Sequence, residues 1–184
     1  MPSSESYQKS RVEDGHWFAI STRYKHEKKV KRLLEYKGYT VYLPLKWQVR
    51  SWKDRTAKVG LPLFTCYVFV FVDLKHQWDI LNTTGVVNFV AFENRPVVIP
   101  ESQIDLMRTV LSANRVVKAE PKFKSGMGVK VVDGPLRGLQ GIYLKSRDRC
   151  RLLIAIDNFD QNLSIEINAQ EVVPLKRMSP SSSV

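Results

Sequence analysis

The chain is short of the residues from which metal centres and nucleophilic sites are built: 184 residues hold only two cysteines and three histidines. Cys66 and Cys150 lie far apart with no Cys-x-x-Cys pair, so neither a zinc knuckle nor a disulfide framework is indicated, and reduced core thiols are expected. His16, His26 and His76 have no Asp or Glu at metal-ligand spacing. A Walker-type phosphate loop and a Gly-x-Ser-x-Gly elbow are both missing, and Gly126-Met127-Gly128 precedes a strand pattern, unlike a dinucleotide loop. Nothing here argues for an enzyme, a metal or a cofactor. No apolar run reaches the roughly 18 residues that span a bilayer. The first fourteen residues are polar and lack the apolar core of a signal peptide. A soluble, cytoplasmic protein with no membrane contact is expected.

Acid is also scarce. Twenty-nine Lys and Arg face 18 Asp and Glu, giving +11 and a pI near 9.7. The excess is uneven: residues 23–58 hold twelve cations against three carboxylates, a net +9, and the rest of the chain shares +2. Next to Tyr24, Tyr36, Trp47 and Trp52, such a cluster is an electrostatic footprint for a polyanion, most often nucleic acid. A solvated helix face plus a charged hairpin tip accounts for it equally well. Hydrophobic residues make up 43%, enough to bury a core without staples, and the length fits one medium domain or two small ones.

The pattern predicts an α+β protein. Residues 16–22 (HWFAIST) read as a strand. In 26–37, Val30, Leu33 and Leu34 recur at helical spacing until Gly38 ends the run. Residues 39–49 and 59–72 form the arms of one long hairpin with a polar tip at 50–58, and both faces of 67–72 are apolar, as in a central strand covered on both sides. Asp73 caps a helix that presents Leu74, Trp78 and Leu81 and stops by Gly85. Residues 86–92 read as a strand, and Pro100 and Glu101 open a helix with Ile104, Met107, Val110 and Leu111 on one face. The order β-α-β-β-α-β-α implies helices packed on a mainly antiparallel sheet. Residues 114–125, with Lys118, Lys122, Lys124 and Pro121, read as a linker, and the five glycines beyond it punctuate short runs suited to a small barrel of five strands. The polar lead 1–14 and the Ser-rich tail 177–184 are expected to be disordered.

Several stretches together resemble one family. Trp17-Phe18-Ala19, Tyr67-Val68-Phe69-Val70, Gly85-Val86-Val87-Asn88-Phe89-Val90 and Pro96-Val97-Val98-Ile99-Pro100 are followed by Gly126-x-x-Val129-x-Val131-x-x-Gly134-Pro135-Leu136-x-Gly138-x-x-Gly141. This order resembles the NusG family, which joins an NGN domain, an α/β sandwich, to a KOW domain, an SH3-like β-barrel. The resemblance implies an NGN-like domain over 15–113 and a KOW barrel over 126–176. It also implies a monomeric bacterial transcription elongation factor or antiterminator that binds RNA polymerase. Leu61-Pro62-Leu63-Phe64-x-x-Tyr67-x-Phe69-Val70 is similar to the specialised RfaH and UpxY antiterminators, the latter acting on capsule polysaccharide operons. Thr65-Cys66 departs from their usual Pro followed by Gly, Asn or Ser.

By the same resemblance, Phe64, Tyr67, Phe69, Phe92, Ile104 and Met107 would grip the clamp helices of the largest polymerase subunit. Arg23, Tyr24, Lys25, His26 and Lys29 would meet the displaced non-template DNA strand, with Lys53 and Arg55 at the hairpin tip touching upstream duplex. Phe159 sits in the barrel loop where relatives engage ribosomal protein S10 or another KOW-binding factor. Asn158-Phe159-Asp160-Gln161 replaces the Phe-Gly-Arg of general elongation factors there. The competing reading is a KOW-type protein that binds the ribosome or structured RNA.

Overall fold

A computed structural model of the chain describes residues 15–52, 55–113, 115–121, 126–146, 149–156, 159 and 161–175. The lead, the tail and Lys53 therefore lie outside the described residues, and of Arg55 only the backbone is described. Described residues up to Leu111, together with Phe159, form one compact unit, and those from Ser112 onward form the other.

The first unit starts with β1 (His16–Thr22), α1 (Glu27–Tyr36) and β2 (Thr40–Tyr42). Val30 and Leu34, one turn apart, are fully buried and set the inward face of α1. The helix ends at Gly38, whose φ of +85 lets its N–H reach the Glu35 carbonyl and the Tyr39 N–H reach that of Leu34. This paired cap suits a residue without a side chain and reverses the chain directly into β2.

A two-stranded ribbon follows, β3 (Leu45–Trp52) against β4 (Arg55–Pro62), and then β5 (Tyr67–Val72) returns to the sheet. The single long hairpin expected from the pattern is thus cut in two. Residues 43–44 and 63–66 interrupt both arms, leaving β2 and β5 in the main sheet and β3–β4 as a separate ribbon. Pro44 supplies a reason, since it has no N–H to donate to a ladder. Its carbonyl still accepts from Leu63 N at 2.8 Å.

Beyond β5, the Asp73 carboxylate accepts from Lys75 N and caps a short 3-10 turn leading into α2 (Gln77–Leu81). The inward residue of α2 is Ile80, fully buried, whereas Trp78 is 67% exposed. Leu74 and Leu81 of the expected apolar face do pack against the core, and only Trp78 turns outward. Asp79 accepts from Lys37 Nζ and from the Tyr39 hydroxyl, tying α2 to the end of α1. The unit closes with β6 (Val86–Phe89), the small hairpin β7 (Ala91–Phe92) and β8 (Arg95–Pro96), β9 (Val98–Ile99) and α3 (Glu101–Ser112).

The main sheet runs β2-β5-β1-β6, all antiparallel, and β9 pairs with Trp17 and Phe18 on the edge of β1 that β6 occupies further along. Phe18, Ile20, Val68, Val70 and Val72 point to the face covered by α1 and α2. The alternate residues Trp17, Ala19 and Phe69 point to the face of α3, where Arg108 stacks on Trp17 and Tyr42 at 5.8 and 5.3 Å from their ring centres. Burial pushes the Tyr42 hydroxyl up to about 12, against the pull of Arg108, so the phenol stays neutral at physiological pH.

The second unit is β-rich: β10 (Val117–Pro121), β11 (Met127–Val131), β12 (Gln140–Ser146), β13 (Arg149–Ala155), β14 (Gln161–Glu166) and β15 (Val172–Pro174), in sheet order β10-β14-β13-β12-β11-β15. Six strands replace the expected five. The extra one, β10, comes from the stretch read as a linker. It pairs Val117 with Ile165 and Ala119 with Leu163, and its alternation of small apolar residues with Lys118 is that of an edge strand. Leu152, Leu163 and Ile165 are fully buried in this core. Arg115 Nη1 donates to the Glu171 carboxylate at 2.8 Å, which holds the Glu171 pKa below the usual range. The protein is α+β, with mainly antiparallel sheets and three α-helices among the described residues.

Candidate functional site

Two groups of candidate residues lie in the first unit. The first is the β1–α1 turn. Its path is set by backbone bonds to two distant loops: Thr22 N donates to Cys66 O at 2.8 Å and Arg23 N to Gly85 O at 2.9 Å. His26 N donates to Arg23 O, and Lys25 adopts the left-handed conformation at φ +62. Arg23, Tyr24, Lys25, Lys28 and Lys29 are all exposed on this rigid base. Tyr24 is 65% exposed, with Lys25 Nζ 5.2 Å from its ring centre. A flat ring beside a cation can take a stacked base and its phosphate. His26 behaves differently from its neighbours: it is half-buried, and its Nδ1 lies 3.0 Å from Tyr24 O.

Glu27, in the first turn of α1, is buried in the middle of this basic segment. Its carboxylate accepts from Cys66 N at 2.8 Å. The sequence treats Glu27 as one of three acids diluting the positive charge, whereas the fold turns it inward to hold the loop before β5. Cys66 itself is left-handed at φ +66, a conformation that Gly and Asn adopt more readily. Burial and the nearby Glu27 carboxylate raise the pKa of its thiol.

The second group is aromatic and apolar. Phe64 and Tyr67 flank the Cys66 loop, and Phe69 follows on β5, with the Phe64 and Phe69 rings edge to face at 6.0 Å. The Phe159 ring stands against the same three, 5.1 Å from both Phe64 and Tyr67 and 5.6 Å from Phe69. Phe64, Phe69, Phe159, Ile104 and Met107 are all buried, and Tyr67 is half-buried. Phe92 stands apart, 71% exposed on the β7–β8 hairpin. Phe64, Tyr67 and Phe69 thus gather at one end of β5, Ile104 and Met107 share the buried face of α3, and Phe92 projects separately.

Glu27 and the Arg108 stack escape the motif reading. Glu27 carries no sequence signal that distinguishes it from a surface acid. Arg108 lies one residue past the Ile104–Met107 stripe, so helical spacing alone could have placed it at the edge of that face.

No group of three or more His, Cys, Asp or Glu suited to a metal occurs among the described residues. None of the described helices is long and apolar enough to cross a membrane.

The family model NusG, described as transcription termination factor nusG, matches residues 15–108. The transcription termination/antitermination protein NusG of Thermus thermophilus is 25% identical over 179 residues, which span 85% of this chain and 97% of the Thermus protein. The solved structure titled "Domain interaction in Thermotoga maritima NusG" is similar in fold, with a TM-score of 0.55 at 21% identity, covering 86% of this chain and 96% of that one.

Proposed function

The chain belongs to the NusG family of transcription termination and antitermination factors, and we propose that it binds RNA polymerase and promotes processive transcription of specific operons, those for capsule polysaccharides in particular. One observation carries this reading: the basic turn and the aromatic group are bonded to each other. The Thr22–Cys66 and Cys66–Glu27 hydrogen bonds fasten Tyr24 and Lys25 to the loop that positions Phe64 and Tyr67.

In the proposed complex, Phe64, Tyr67, Phe69, Phe92, Ile104 and Met107 meet the clamp helices of the largest polymerase subunit. Phe92 is exposed in the free protein; the others need the cover over them, the Phe159 ring included, to give way. Arg23, Tyr24, Lys25 and Lys29 meet the displaced non-template strand, with His26 shaping the turn. Lys53 and Arg55 reach upstream duplex. Binding the closed polymerase better than the open, paused one shifts the balance toward elongation, because a ligand shifts a conformational equilibrium only through differential affinity. The β-rich second unit acts as a KOW module that recruits a further factor, such as ribosomal protein S10. The protein works as a cytoplasmic monomer.

Tyr67→Ala tests the reading. A buried aromatic anchor at an interface is worth about 2 kcal/mol or more, so affinity for core polymerase should fall at least about thirtyfold, with pause escape in single-round transcription falling in step. Wild-type affinity and pause escape in this variant would overturn the polymerase contact. Tight, steeply salt-dependent binding to naked structured RNA without polymerase would favour the ribosome or RNA reading.

A further inference from the structure

Away from its tip, where the proposed function places Lys53 and Arg55, the β3–β4 ribbon carries a surface that has no assigned role. Its two strands hold Lys46, Arg50, Arg55 and Lys58 and no carboxylate. Trp47 is 60% exposed and Val49 72%. Single exposed apolar residues are ordinary, so exposure by itself decides nothing. The seat of the indole does.

Trp47 faces Gly60 across the ribbon. A Cβ on Gly60 would stand 3.2 Å from Cζ3 and Cη2 of the indole and equally close to Leu45 Cδ1. The six-membered ring therefore rests on the bare backbone of the opposite strand, a seat that a side chain at position 60 would crowd. Lys58, two residues before Gly60 on β4, places Nζ 5.8 Å from the ring centre. The indole is thus supported from below by Gly60, accompanied by a cation and otherwise open to water. Proteins take an unpaired base with such a combination, a π-face for stacking and an ammonium for the adjoining phosphate.

We propose that Trp47, seated on Gly60 and flanked by Lys58, is a stacking site for an unpaired base of single-stranded nucleic acid, additional to the β1–α1 turn. The charge of the ribbon selects this partner: five cations against one carboxylate over residues 45–62 complement a polyanion. The site needs no polymerase, so it can be tested on the full chain alone.

The experiment titrates the labelled protein with a short oligothymidylate and follows the four indole N–H resonances, that of Trp47 being identified by its absence in Trp47→Phe. The Trp47 resonance should shift on titration. Trp47→Leu, which keeps apolar bulk on the ribbon, should weaken binding about tenfold, and Trp47→Phe by no more than about threefold, since it keeps a π-face. Lys58→Gln should make the logarithmic salt slope shallower by about 0.7, as expected for one lost contact to a single-strand phosphate. An unmoved Trp47 resonance, or wild-type affinity in Trp47→Leu, overturns the site. So does an equal response to vesicles of anionic phospholipid, which would make the ribbon a general anion surface. Lys25→Gln separates this inference from the proposed function. If that variant alone weakens binding, the turn binds the strand and the Trp47 site is wrong. If neither variant matters, both nucleic-acid surfaces fall.

Discussion

The two units solve the same packing problem with opposite distributions of charge. In the first, β5 is covered on both sides and the polar residues are driven outward, so the cations of the β1–α1 turn stand exposed as a group, as do Arg50 and Lys58 on the ribbon. In the second, Arg115 is engaged by the Glu171 carboxylate and by the Glu166 carbonyl, and Arg151 donates from Nη2 to the Ser164 carbonyl at 3.0 Å. Charge in these pairs holds structure together, as Lys37 and Asp79 do in the first unit, whereas the cations of the β1–α1 turn face outward. A basic net charge therefore says little until it is divided into paired and unpaired cations.

Removing core from each unit separately is the strongest way to break this comparison. Phe18→Ala should destabilise the first unit by about 3–5 kcal/mol and Leu152→Ala the second by about 2–5 kcal/mol. Hydrogen exchange read unit by unit should show each loss confined to its own side; loss of protection in both units from either variant would show one cooperative body. A smaller effect is expected from acid. The Glu171 pKa is held down by Arg115, so the stability it adds is full above the ordinary carboxylate range and is lost as pH falls through its lowered folded value. Glu171→Gln should cost about 1–2 kcal/mol at neutral pH and flatten the acid limb of the second unit's denaturation curve. The first unit's curve should not change. Smallest is Cys66→Gly. It relieves about 1–2 kcal/mol of left-handed strain and loses about 1 kcal/mol to a more flexible unfolded chain, for a net gain of at most about 1 kcal/mol in a urea melt. The Glu27 bond is made by the backbone N–H at position 66, so this variant should leave the nucleic-acid surface unchanged.

Much of the fold was legible because it follows from periodicity. The two apolar faces of 67–72 announced a central strand, and Val30 and Leu34 with Gly38 announced a helix and its stop. Where a local signal competed with a tertiary one, the reading failed. Lysines and a proline in 114–125 suggested a linker, yet Val117 and Ala119 alternate as an edge strand that becomes recognisable only once β14 is there to receive it. Trp78 shares the expected face of α2 with Leu74 and Leu81, yet in the fold Ile80 takes the fully buried position and Trp78 faces out. In the candidate site, the residue types of the turn and the aromatic group were readable. The bonds joining them, Thr22 to Cys66 and Cys66 to Glu27, link segments more than forty residues apart in one case and nearly so in the other, and no pattern in a single chain encodes them.

The inward turn of Glu27 also has a kinetic consequence. Of the three carboxylates between residues 23 and 58, Glu27 is buried on a backbone amide and Glu35 is bonded to Lys31, so neither lies free beside Arg23, Lys25 and Lys29. Glu27 keeps its charge but is buried while Arg23, Lys25 and Lys29 are exposed, so an approaching polyanion meets the cations first. Encounter should be steered and fast at low ionic strength, and the association rate constant should drop as salt shortens the screening length toward about 8 Å.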